Sequence, residues 1–190
     1  MGMMTRSFNS TVASLATAVW ISILAVGPAQ AQSDRIEELF DELQQVEPER
    51  VMRIEEQIWT EWSKSGSPAM DLLLRRGEEA LEAGKPELAA DHLTALIDHA
   101  PDFAEGYHAR ATAYYGLGLI GPALDDLRQT LVLEPRHFGA MAGFAVILEE
   151  VGRPEDALAV WREVEKITPN NPDVRMQLER LELELEGRAL

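Results

Sequence analysis

An all-α solenoid of helical hairpins is the fold class this 190-residue sequence predicts, and three observations predict it. Gly84, Gly118 and Gly152 are spaced by 34 residues; Ala89, Ala123 and Ala157 repeat at the same interval; so do Pro101, Pro135 and Pro169. Each class sits where a hairpin of helices needs it. Glycine ends a first helix, alanine lets two helices touch closely, and proline closes the second. A chain whose small and ring residues share one period is an array, not a single irregular core.

The N-terminal segment comes first. Residues 1–31 hold one charge, Arg6, then an apolar run from Val12 to Val26 and the small-residue site Ala29-Gln30-Ala31. These are the parts of a secretory signal peptide, so residues 1–31 are expected to be removed and the mature chain to begin at Gln32. The run is shorter than the roughly 20 apolar residues of a membrane span, so membrane attachment is expected only if this segment stays uncleaved. A periplasmic or secreted location follows from the same signal.

Residues 32–67 have lost the period but keep two amphipathic stripes: Ile36, Leu39, Phe40 and Leu43, then Val51, Ile54, Ile58 and Trp62. They predict a helical hairpin, 34–45 and 48–63, read as a degenerate repeat packed on the N-terminal end of the array. Ser63 to Ser67 is its linker. Trp59 and Trp62 are read as packing residues, the alternative being a partner-binding patch.

Residues 68–171 are three units of two helices each: 69–83 with 87–99, 104–117 with 123–133, and 139–151 with 155–167. The turn Gly84-Lys85-Pro86-Glu87 is echoed by Gly152-Arg153-Pro154-Glu155, with proline at the first helical position and glutamate near the positive end of the helix dipole. Residues 172–190 carry one further stripe, Val174, Leu178, Leu181 and Leu185, among many glutamates, as a solvating cap for the open end of a solenoid requires. Leu183 falls off that stripe, leaving a dimerisation seam as the alternative.

Composition excludes several function classes. With 17 Lys+Arg against 33 Asp+Glu the formal net charge is −16, and loss of residues 1–31 removes Arg6 and no acid, taking it to −17. A surface so acidic does not track nucleic-acid phosphates. No cysteine is present, so disulfides, thiolate nucleophiles and Cys-bound zinc are absent. Phosphate loops, G-x-S-x-G, H-E-x-x-H and dinucleotide turns are absent too. Of the four histidines, His92 and His99 share a helix face without a third ligand at metal spacing. The acid pairs Glu78-Glu79, Asp125-Asp126 and Glu149-Glu150 diverge around their helices and read as solvated charge. No catalytic residue, cofactor, metal or small-molecule substrate is expected.

The repeating pattern resembles the tetratricopeptide repeat, of period 34. It falls on Leu73, Arg76, Gly77, Ala80, Ala89, Leu93 and Pro101; on Tyr107, Arg110, Ala111, Tyr114, Ala123, Leu127 and Pro135; and on Met141, Phe144, Ala145, Leu148, Ala157, Trp161 and Pro169. Arg76 and Arg110 depart from its apolar place and are expected to lay their stems on the hairpin with the guanidinium outward.

The resemblance implies a concave groove, lined by the first helix of each unit, that binds a protein or peptide. In its register the inward places are Asp71, Leu74, Glu78 and Leu81 in unit one and Glu105, His108, Thr112 and Tyr115 in unit two. Unit three supplies Ala142, Val146 and Glu149, with Arg136 and His137 at the turn into it. The lysine and asparagine clamp with which chaperone-binding members hold a terminal carboxylate is missing. A basic or amphipathic segment is the expected partner, since opposite charge favours encounter. The expected role is an exported scaffold or adaptor; a self-associating envelope protein and a non-catalytic subunit of an envelope complex are the alternatives.

Overall fold

The structure is a computed structural model that describes residues 28–188. Among them are nine α-helices and no strand: α1 Pro28–Leu43, α2 Pro48–Trp62, α3 Pro68–Glu82, α4 Pro86–His99, α5 Ala104–Gly116, α6 Ile120–Leu133, α7 Phe138–Glu150, α8 Pro154–Ile167 and α9 Pro172–Arg188. The apolar run Val12–Val26 lies outside the described residues. Helix α1 extends back to Pro28 and so includes the expected cleavage site at Ala31. No described helix is long and apolar enough to cross a membrane.

The periodic residues act as their chemistry requires. Gly84, Gly118 and Gly152 adopt φ of 65°, 71° and 76°, the left-handed region open to glycine. Each is followed by a long closing bond: Lys85 N–H to Ala80 O, Leu119 N–H to Tyr114 O, and Arg153 N–H to Leu148 O, at 2.8–2.9 Å. Ala89, Ala123 and Ala157 are fully buried. At Gly77 an added Cβ would lie 2.6 Å from Leu93, so α3 and α4 meet only because that position is bare. Helix α6 starts three residues earlier than expected, at Ile120, because Pro122 falls inside the first turn, where its missing N–H is not needed.

Three apolar clusters follow one another along the chain. Leu74, Leu93, Leu96, Ala109 and Ala113 join α3, α4 and α5; Ala111, Ala123, Leu127, Ala140 and Ile147 join α5, α6 and α7. The third is long-range. Leu39, Phe40, Leu43, Val51, Ile54, Ile58 and Trp62 of the N-terminal hairpin cluster with Phe138, Leu148, Trp161, Val174 and Leu178 of α7, α8 and α9. The hairpin is therefore not stacked on the N-terminal end of the array but folds back over its third unit and cap. There its two stripes cover apolar residues of α7 and α9, among them Phe138, Leu148, Val174 and Leu178.

Side chains tie the hairpin down. The Gln44 amide donates to the carbonyls of Lys166 and Ile167, capping the end of α8. Asn170 donates to Val46 O, and Thr168 and Asn171 both donate to Glu55 Oε1, at 2.7 and 2.8 Å. Arg136 pairs with Glu37 while lying 4.0 Å over the Phe40 ring.

Candidate functional site

Helix α2 lies on the face that α5 and α7 were expected to leave open. Trp59 packs 5.1 Å from the His108 ring and edge-on to Phe138. Its ring also fills the space above Gly139, where a Cβ would come within 2.5 Å of it. Trp62, 7% exposed, stacks on His137 at 4.3 Å and 10°. Both tryptophans are packing residues against this seat, as their helical spacing indicated, though against unit three.

Beneath them is a polar cluster that no local pattern announces. Glu105, on α5, accepts from His108 Nδ1 at 3.1 Å and from His137 Nε2 at 3.0 Å. His137 is the N-cap of α7, its Nδ1 accepting the Ala140 N–H at 3.1 Å. That bond assigns the single proton of a neutral ring to Nε2, which donates it to Glu105. Burial opposes the charge on Glu105, but the hydrogen bonds from His108 and His137 and their positive potential outweigh it and bring its pKa down to about 2. Burial pushes the pKa of His137 down, against the pull of its bond to Glu105.

Glu105, His108 and His137 bring one ligand atom each within 4.8 Å of one another, a spacing a divalent ion accepts. The protons argue otherwise. For His137 Nε2 to bind a metal its proton must move to Nδ1, which would break the cap on Ala140 and leave a buried N–H unpaired. The cluster reads as a structural buttress for the seat. Sequence reasoning missed it because Glu105 and His137 lie 32 positions apart; the one local hint was a nitrogen acceptor at a helix entry.

The expected groove residues divide. Glu105 and His137 are buried, at 4% and 0% exposure, and do not line an open surface, because α2 covers them. Arg136 is held by α1, and Ala142 lines a cavity of about 200 Å³ beside Glu55, Phe138 and Trp161. Leu74 is core between α3, α4 and α5. Glu149 accepts from the Trp161 indole at 3.3 Å and from Arg180 at 2.5 Å. Asp71 caps the linker, accepting from the Ser65 N–H and hydroxyl.

The rest stay accessible: Glu78, Leu81 and His108 are half-buried, and Thr112, Tyr115 and Val146 are exposed. His108, Thr112, Tyr115 and Val146 rim an apolar pocket of about 130 Å³ between α5 and α7, floored by Ala111, Leu127, Gly143 and Ile147. Two carboxylates lie outside its lining, Glu150 bonded to Tyr115 and Glu78 within electrostatic reach of His108. Tyr115 donates its hydroxyl to Glu150. Burial raises the pKa of Glu78, and the charges of Glu105 and Glu82 raise it further, while His108 opposes them.

One acid and one arginine expected at the surface are structural. Asp126 is buried and takes Arg110 bidentately at 2.7 and 2.8 Å, correcting the solvated reading of Asp126, though not of its exposed neighbour Asp125, and the outward reading of Arg110. The guanidinium is held between Tyr107 and Tyr114. Arg76 is exposed, as expected.

The profile of the tetratricopeptide repeat family matches residues 74–120 and 108–172. A TPR repeat-containing protein of Rhizobium etli is 31% identical over 160 residues, covering 84% of this chain and 78% of its own length. The bacteriophage adsorption protein A of Escherichia coli is 35% identical over 95 residues, half of this chain but only 10% of that protein. Among solved structures, the first TPR of Spaghetti bound to an HSP90 peptide superposes with a TM-score of 0.58 at 22% identity, over 62% of this chain and 93% of that one. The Yersinia enterocolitica type III secretion chaperone SycD, in complex with a peptide of the translocator YopD, gives 0.57 at 17% identity, over 62% and 95%. At such identities the likeness carries the fold.

Proposed function

The chain belongs to the tetratricopeptide repeat family, and on that premise we propose that it is an exported scaffold that binds a basic or amphipathic segment of a partner protein in its groove. Binding of protein or peptide partners is what the arrays of this fold do in the complexes with HSP90 and YopD peptides. Export rests on the signal-like residues 1–31. No catalytic, cofactor or small-molecule role is proposed.

The observation that carries the partner's chemistry is the apolar pocket between α5 and α7 with Glu78 and Glu150 beside it. An apolar side chain fills the pocket and flanking lysines or arginines meet the carboxylates; the first supplies burial, the second encounter rate. With a partner in hand from co-purification out of the envelope fraction, Tyr115→Ala combined with Glu78→Lys weakens it ten-fold or more, about 1.4 kcal/mol, at an unchanged melting temperature. Full affinity in that double variant places the site elsewhere.

Self-association remains the second reading, through Leu183 and Met176 on α9, which are 70% and 56% exposed. Concentration-dependent mass tests it.

A further inference from the structure

The α1–α2 hairpin sits where the array would receive a helix from outside. Its helix α2 meets His108 of α5, His137 and Phe138 at the entry to α7, and the α8–α9 turn through Glu55. It reaches the repeats by one short linker, Ser63 to Ser67, in which Gly66 has φ 78° and open space around it.

Its polar ties to the array run through side chains, several of them exposed: Gln44 to the end of α8, Glu37 to Arg136, Glu55 to Thr168 and Asn171. The fit is also incomplete. Trp62 Nε1 is buried without a hydrogen-bond partner, a defect that destabilises the seated hairpin.

We infer that the seat formed by His108, His137, Phe138 and Gly139 is an exchangeable docking site, and that α1–α2 is its resident, self-blocking occupant. The partner that takes this seat is an amphipathic helix with two aromatic side chains three residues apart and a carboxylate one turn before the first. That is the spacing of Glu55, Trp59 and Trp62. The first aromatic enters the space over Gly139, the second stacks on the neutral His137 ring, and the carboxylate accepts from Thr168 and Asn171. Phenylalanine in the second place is better than tryptophan, because it buries a ring without the orphaned indole N–H. This goes beyond the open-pocket reading above; the two share His108 alone, while Gly139 and Phe138 belong only to the seat and Tyr115 and Glu78 only to the pocket side, so variants at those positions make each fail separately.

The probe is a fluorescein-labelled synthetic peptide spanning residues 46–65, titrated into the full chain. Glu55→Ala in the chain removes the carboxylate that holds the resident to Thr168 and Asn171 while leaving the seat intact. The expected result is peptide binding at least ten-fold tighter to Glu55→Ala than to the parent chain, with faster hydrogen exchange in residues 48–62 of the chain as the peptide binds. A peptide with Trp59 and Trp62 both replaced by Ala loses ten-fold or more, and one with Trp62→Phe gains.

Adding Gly139→Ala to the chain abolishes binding, because its Cβ occupies the space of the first aromatic. If that variant does not fold, Phe138→Ala, which strips from the seat a wall that the open pocket does not use, replaces it. Tyr115→Ala with Glu78→Lys leaves the peptide affinity unchanged. No binding to Glu55→Ala, or equal binding of the peptide lacking both tryptophans, overturns the inference. So does a doubled mass of Glu55→Ala without peptide, which would assign the seat to hairpins exchanged between copies.

Discussion

Glu105 of α5 and His137 ahead of α7 share a hydrogen bond of 3.0 Å beneath the stacked Trp62 ring, and both are at most 4% exposed. This pair joins two repeat units and the N-terminal hairpin at one point. Its protonation therefore contributes to the acid stability of the fold.

Thermal unfolding should weaken in acid in two stages. The buried His137 binds its proton below its ordinary 6.5, so as pH falls through that value the unfolded chain takes up a proton the folded chain does not, and stability drops. The carboxyl of Glu105 is depressed from 4.5 to about 2, so its stabilisation, complete above 4.5, is lost between 4.5 and 2. Glu105→Gln should lower stability at pH 7 by about 1–3 kcal/mol through the mispaired buried groups, and should remove the lower of the two stages. A melt whose pH dependence is the same in both proteins would contradict this assignment.

Two glycines of α7, one turn apart, should answer oppositely to alanine. At Gly139 the new methyl meets the Trp59 ring at 2.5 Å, and overpacking of this kind costs about 1–3 kcal/mol. At Gly143 it meets Leu127 at 3.6 Å, an ordinary contact, and replaces a helix-weakening glycine, so stability should rise by about 0.5–1 kcal/mol. Chemical denaturation of the two variants separates them. Equal effects would mean that α2 does not cover Gly139.

Ala123→Leu should lower the melting temperature clearly, by about 1–3 kcal/mol of stability, since Ala123 is fully buried between α5, α6 and α7. Surface charge is untouched. An unaltered melt would show that α5 and α6 do not approach as closely as described.

The Arg110–Asp126 pair should behave as a coupled unit. Asp126→Ala leaves the guanidinium between two tyrosines without its partner and should cost about 3 kcal/mol. Changing Arg110→Met as well should recover part of that loss, and a double-mutant cycle measures the coupling. Additive losses would make the pair energetically inert.

N-terminal sequencing of protein recovered from the exported fraction should begin at Gln32. The Gln32 amide donates to the carbonyls of Glu61 and Lys64, so the new terminus is anchored to the end of α2. Full-length protein retained inside the cell would remove the export assignment and with it the class of partner expected.

The repeats were legible in the sequence because their causes are local. A glycine at positive φ, a proline at a first helical position and an alanine between two helices each act within one hairpin, so the period of 34 exposes them wherever the hairpin lies. The amphipathic stripes of α1 and α2 were equally readable, as was the packing role of Trp59 and Trp62. Their destination was not. Which apolar face a stripe covers depends on shape and hydrogen-bond complementarity between segments more than a hundred residues apart, such as Gln44 with Ile167 or Glu55 with Asn171, and no spacing encodes that. The same is true of Glu105, Asp126 and His137. A charged or polar side chain reads as solvent-facing until its partners arrive from another helix, and only the tertiary structure, by bringing Arg110 to Asp126 and His137 to Glu105, supplied the hydrogen bonds that let these groups be buried.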